Sequence, residues 1–300
     1  MSSLPWLMPL QQQLSQLAQR QQLHHALLFT GIDGVGKQQL AADLAALLLC
    51  STPSGMVACG QCKHCLLVRA GHHPDLFTVS AEQSIGVDAI RQLSLFMQSS
   101  PQQGGARVVL MPAAEQMTEA ASNALLKTLE EPGRNSFLLL QSAHPGQLLP
   151  TILSRTQQWF VPAVSAQQTQ RWLEQQVQAP LEPSLLAFVL DYAAGAPLRA
   201  LALLQSGHAS QLWQLLIELN QYLQQPSHLA QLVKRLEAEP DAAQLVYWFV
   251  KRQLLQGSAA QQQLLFQRLT QWYRDEQRIL GQNKTLSFSA LLLDLPKLLA

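Results

Sequence analysis

The chain has 300 residues and a mass of 33.2 kDa, a length that predicts two or three domains. Only 13% of its residues are charged, against about 25% in a typical soluble protein, and 20 basic and 19 acidic side chains leave a net charge of +1, with 43 glutamines in place of the missing charge. This balance excludes a basic nucleic-acid-binding stripe and a charged, disordered chain; with no apolar run of ~18–20 residues and no secretory pattern at the start, it predicts a soluble, cytoplasmic protein with no membrane partner.

Ala26-Leu27-Leu28-Phe29-Thr30 reads as a buried strand running into Gly31-Ile32-Asp33-Gly34-Val35-Gly36-Lys37-Gln38. A helix with apolar Leu40, Leu44, Leu47 and Leu48 follows. Strand, glycine-rich loop and helix are the context of a phosphate-binding loop, whose backbone N–H groups cradle phosphates while a lysine reaches them. Gly31, Gly34, Gly36 and Lys37 are the candidate nucleotide-binding residues. The next position departs from the pattern. A Ser or Thr hydroxyl holds Mg²⁺ there in active enzymes, and Gln38 is a poor substitute.

Cys50, Cys59, Cys62 and Cys65 are the only cysteines and fall within 16 residues. Four thiolates spaced C-x8-C-x2-C-x2-C suit one tetrahedral ion, and zinc accepts all-sulfur ligation in closed structural sites. Disulfides are disfavoured by the short loops they would close. An iron–sulfur cluster is disfavoured because the bacterial ferredoxin spacing is absent. His64 is a spare ligand type, and His72 and His73 read as loop residues. A structural zinc knuckle of this kind contributes on the order of 10 kcal/mol to local folding and performs no chemistry.

His73-Pro74-Asp75 opens a strand near 76–80, and Ile85-Gly86-Val87-Asp88-Ala89-Ile90-Arg91 leads into a helix. A third strand covers 107–111. An active ATPase ends it with an acidic pair that holds Mg²⁺ and polarises water; here Pro112-Ala113-Ala114-Glu115 supplies one carboxylate, late, on the following turn. A fourth strand near 137–141 ends at Gln141-Ser142. Strands alternating with helices predict an α/β fold with a parallel sheet. Beyond Pro162 the strand signals stop. Stretches such as 212–223, 229–236, 242–255 and 261–280 carry apolar residues at helical spacing, punctuated by Pro226 and Pro240. Trp213, Trp248 and Trp272 read as core or contact residues, because few basic residues flank them.

Two strings carry a specific resemblance. Met117-Thr118-Glu119-Ala120-Ala121-Ser122-Asn123-Ala124-Leu125-Leu126-Lys127-Thr128-Leu129-Glu130-Glu131-Pro132 and Leu148-Leu149-Pro150-Thr151-Ile152-Leu153-Ser154-Arg155-Thr156 resemble the bacterial clamp-loader family of AAA+ ATPases. The knuckle inserted after the first helix belongs to the same pattern. Pro5-Trp6-Leu7-Met8-Pro9 and the missing acidic pair resemble one non-catalytic member of that family. The resemblance is dense from about 5 to 162 and weak beyond.

The resemblance implies a P-loop AAA+ domain over 1–162 with a zinc knuckle at 50–65, a small helical lid over 163–207 and an all-α collar over 208–300. Arg155 occupies the place of the family's Ser-Arg-Cys arginine, a finger that reaches the ATP of an adjacent γ or τ subunit. Thr156 stands where the family has cysteine. Gln141, Ser142 and Arg199 match sensor positions and are expected to be relics or structural. The implied partners are the γ/τ and δ clamp-loader subunits, the DNA polymerase III holoenzyme, the sliding clamp and, through the complex, primed DNA. Two other functions compete: an active ATPase using Lys37, which the missing carboxylates disfavour, and a free-standing zinc-dependent nucleic-acid binder, which the missing basic surplus disfavours. ATP binding is doubtful on the same grounds.

Overall fold

The apolar runs of the N-terminal half become the strands of one parallel sheet. The computed structural model describes residues 4–80, 84–103, 105–177, 181–254, 259–278 and 283–299. The strands are β1 (Ala26–Thr30), β2 (Leu76–Thr78), β3 (Arg107–Met111), β4 (Ser136–Ser142) and β5 (Gln157–Phe160), in the order β2-β3-β4-β1-β5. All neighbours are parallel, with Leu27 opposite Leu139 on one side and Gln157 on the other. Parallel strands covered on both faces read as continuous apolar runs, as β1, β3 and β4 do. Strand β5 was not among the expected strands. It is an edge strand with mostly exposed side chains, so Gln157-Gln158-Trp159-Phe160 carries no buried-strand pattern.

Among the described residues the α-helices that begin in this first half are α1 (Met8–Gln19), α2 (Lys37–Leu49), α3 (Lys63–Arg69), α4 (Val87–Gln98), α5 (Glu119–Glu130), α6 (Pro150–Leu153) and α7 (Ala166–Gln176). Leu28, Val109, Leu138 and Leu140 meet Ile90, Leu93 and Met97 of α4 and Leu125 and Leu129 of α5 in one core. Each such side chain contributes about 1.5–3 kcal/mol when fully buried. Helix α5 is set by its caps: the Thr118 hydroxyl accepts from Ala121 N at 3.2 Å, Glu119 lies in the first turn, and Lys127 lies in the last.

A buried ion pair anchors the start of the sheet. Asp75 accepts the backbone N–H groups of Gln102 (2.8 Å) and Gln103 (2.9 Å) and lies 3.7 Å from Arg107 Nη2. Arg107 donates to the Phe96 carbonyl (2.6 Å), the Ser99 hydroxyl (2.8 Å) and the Ser100 carbonyl, and lies over the Phe96 ring.

The chain divides into two compact units, 1–173 with 194–199, and 174–193 with 200–300. The described residues of the second are helical: α8 (Pro183–Tyr192), α9 (Pro197–Gln205, begun in the first unit), α10 (His208–Gln224), α11 (Leu229–Ala238), α12 (Ala242–Leu254), α13 (Ala259–Arg278) and α14 (Lys284–Leu299). Phe188 of α8 packs against Trp213 at 5.4 Å and Trp248 at 5.5 Å, and Trp272 donates to the Ser287 hydroxyl at 2.8 Å. Among the described residues no helix is long and apolar enough to cross a membrane.

Candidate functional site

The knuckle joins the end of α2 to α3. Cys50 follows α2 as its C-cap and Cys62 is the N-cap of α3, its sulfur accepting from Cys65 N at 3.4 Å. Cys59 N donates to Cys50 Sγ at 3.4 Å, and Cys62 N donates to Cys59 Sγ at 3.3 Å. Each bond favours a sulfur that carries negative charge. The four Sγ atoms lie within 4.8 Å of one another, and two pairs stand 3.9 and 3.8 Å apart. A tetrahedron built on Zn–S bonds of about 2.3 Å has edges of about 3.8 Å, whereas an S–S bond is about 2.05 Å. The donor set therefore fits one tetrahedral metal, and the thiols are not joined as disulfides.

The thiols differ in their tendency to ionise. Hydrogen bonding from the Thr52 hydroxyl, aided by backbone N–H groups, holds Cys59 down to about 7. Bonding from Ser51, with the Cys65 N–H, holds Cys62 down to about 5. Burial pushes Cys65 up to about 12. A divalent cation is what allows all four to be thiolates together. His64 is outside the cluster: its Nδ1 meets His73 Nε2 at 3.0 Å, and His73 Nδ1 accepts from Asp75 N at 3.1 Å.

The glycine loop is folded onto the chain's own groups. Gly31 has φ +143°, and a Cβ there would lie 2.4 Å from the Val161 carbonyl oxygen. Gly34 has φ +80°, and a Cβ there would lie 2.7 Å from Arg199 Cβ; its carbonyl accepts from Leu198 N at 3.0 Å. Gly36 caps α2 beneath Leu4 and Leu7. Trp6 Nε1 donates to the Val35 carbonyl at 2.8 Å, so the N-terminal segment pins the loop as well. Lys37 is 7% exposed and donates to the carbonyls of Gly31 (2.7 Å) and Ile32 (3.0 Å) and to the Asp33 carboxylate (3.1 Å). An ammonium has three hydrogens, and this geometry uses all three. Gln38 is exposed at the surface. Glu115 sits on the turn after β3, where its Oε1 accepts from Ala143 N at 3.0 Å just past β4. It braces the end of β4, where Gln141 and Ser142 are buried.

Arg155 stands between α6 and β5, with its side chain 36% exposed. Its Nη2 and Nε both reach Glu130 Oε1, at 2.7 and 2.9 Å, and Nη1 donates to the Thr151 carbonyl at 3.1 Å. Thr156 is buried and donates to the Ile152 carbonyl at 3.1 Å, a bond that settles a hydroxyl in an apolar site. The structure thus keeps the knuckle, the loop and Arg155 as three separate places. Sequence reasoning gave no role to Glu130, Trp6 or the Asp75–Arg107 pair. Trp6 and Glu130 lay within strings that carried the resemblance and Asp75 marked a strand start, but nothing in those patterns pointed to these contacts.

The family model described as DNA polymerase III, delta subunit, matches residues 8–164. The chain is 38% identical over 250 residues to DNA polymerase III subunit delta′ of Yersinia pestis, covering 81% of this chain and 73% of the relative. It is 46% identical over 197 residues to the Pseudomonas aeruginosa delta′ subunit, covering 64% of this chain and 60% of the relative. The Escherichia coli tau subunit is 35% identical over 191 residues, which span 63% of this chain and 30% of that protein. A gamma subunit-related protein of Thermotoga maritima shares the fold, with a TM-score of 0.58 at 19% identity over 96% of this chain and all of that one. The sheet, the matched residues and the extent of these likenesses agree: the chain belongs to the DNA polymerase III delta′ subunit family.

Proposed function

We propose that the chain is a non-catalytic subunit of the DNA polymerase III clamp loader, a cytoplasmic assembly that places the sliding clamp on primed DNA. Its partners are the γ/τ and δ subunits, and it supplies Arg155 in trans to the ATP site of a neighbouring γ/τ subunit. One contrast carries this reading: Lys37 is turned into its own loop, whereas Arg155 lies at the surface. Lys37 rests on its own loop rather than on open space, Gln38 is a poor substitute for the metal-holding hydroxyl, and the Pro112-Ala113 turn brings no carboxylate. A guanidinium placed in trans stabilises negative charge on a transferring phosphoryl group and is worth about 10³–10⁵ in rate in related chemistry.

Cys50, Cys59, Cys62 and Cys65 would hold zinc, which supplies no catalysis here and cross-links the segment between α2 and α3. The three-part division at 162 and 207 into AAA+ domain, lid and collar belongs to the same proposal. The test is reconstitution with γ/τ and δ. Arg155→Ala is expected to assemble normally and to lower DNA-stimulated ATP hydrolysis at least tenfold at the affected site. An unchanged rate would remove the finger assignment. ATP turnover by the isolated chain would overturn the non-catalytic reading.

A further inference from the structure

We propose that Glu130 is a positioning residue that holds Arg155 withdrawn in the free subunit, and that the neighbouring nucleotide's γ-phosphate must displace its carboxylate. The inference rests on the assignment of Arg155 as a finger. The two residues are 25 positions apart and meet because α5 ends at Glu130 while α6 ends just before Ser154 and Arg155. Glu130 Oε1 takes the whole Nε/Nη2 edge, at 2.9 and 2.7 Å. This is an edge an arginine offers, two N–H groups in parallel, to carboxylate or phosphate. Nη1 is tied behind it to the Thr151 carbonyl at 3.1 Å and the Ser154 hydroxyl at 3.4 Å. An arriving phosphate therefore meets a guanidinium whose charge is already balanced and one of whose paired edges is taken.

The strength of the pair suits a latch that opens. Both side chains are well exposed, 36% for Arg155 and 53% for Glu130, so solvent screens the attraction. Exposed ion pairs of this kind shift an equilibrium by a factor of about 1.5 to 5. The apparent affinity of a ligand that needs the open state is reduced by the fraction open. Glu130 should therefore weaken nucleotide binding at the neighbouring site by that factor while leaving the bond-breaking step untouched.

The experiment uses the reconstituted complex with Glu130→Gln in this chain, which is nearly isosteric and removes the charge. The half-saturating ATP concentration, and the dissociation constant of a non-hydrolysable ATP analogue, are expected to fall about 1.5- to 5-fold at unchanged kcat. In an Arg155→Ala background Glu130→Gln is expected to do nothing. A fall in kcat at unchanged half-saturation would make Glu130 an aid to catalytic orientation and overturn the latch. So would unaltered affinity while Arg155→Ala lowers the rate, or an effect that survives Arg155→Ala. A wild-type rate with Arg155→Ala alone would instead remove the finger and the latch together, which tells the two failures apart.

Discussion

Asp75 shows how much one buried carboxylate organises. It is 1% exposed, and its two oxygens accept from two successive backbone N–H groups while Arg107 closes the site. Removing one member of a buried pair leaves the other charged and desolvated, at a cost of about 3–5 kcal/mol. Asp75→Ala is expected to lower the unfolding free energy of the first unit by that amount in urea titration. Asp75→Ala with Arg107→Met should recover part of the loss, and a single-variant loss below about 1 kcal/mol would contradict the pairing. None of this was legible in the sequence, where Asp75 marked only a strand start. Its partners lie 27, 28 and 32 residues on, and no local pattern records such a contact. Lys37 was legible as a motif lysine, but the direction of its ammonium was not, because the same residues serve a filled loop and an open one.

At the level of elements, the readable parts were those with a one-dimensional pattern. Strands β1, β3 and β4 are runs of buried apolar residues and fall where expected, while β2 stops at Thr78, short of the expected 80. Strand β5 was missed because it is a mostly exposed edge, whereas helix α14 falls within the region expected to be all-α even though it contains Pro296, which argues against a helix locally. The knuckle was legible through cysteine spacing alone. Its chemistry sets a pH dependence. Cys62 at about 5 and Cys59 at about 7 lie below the ordinary thiol value of 9.0. The stability these thiolates give the metal-free knuckle is present above about 9 and is lost as pH falls through 7 and then 5. Cys65, raised to about 12, acts oppositely and costs stability as pH rises above 9. Protons also compete with the metal for every sulfur. Zinc transfer to a chromophoric chelator is therefore expected to be slight above pH about 7 and to rise steeply as pH falls toward about 5. Cys62→Ser should lower metal content at every pH, and one zinc per chain retained in that variant would refute the ligand set.

For the whole molecule, 20 basic side chains against 19 acidic ones leave almost no net positive charge to attract a polyanion. Lys37, Arg91, Arg107, Arg155, Arg235, Arg252 and Arg268 each face a carboxylate. In the helical unit the adjacent basic residues Lys234-Arg235 and Lys251-Arg252 each have their arginine matched, Arg235 by Glu218 and Arg252 by Asp191. Each phosphate neutralised by a lysine or arginine releases a condensed counterion and adds about −0.9 to the slope of log K against log salt. A chain with a net charge of +1, seven of whose 20 cations face internal carboxylates, is expected to neutralise few phosphates and to depend on the assembly around it for affinity for DNA. The isolated chain is expected to bind primed DNA with a dissociation constant weaker than about 10⁻⁶ M at physiological salt, and with a slope shallower than about −2. The complete loader should bind more tightly and with a steeper slope. Sub-micromolar binding by the isolated chain with a slope near −5 would mean that five or six cations converge on one face, and would overturn this expectation.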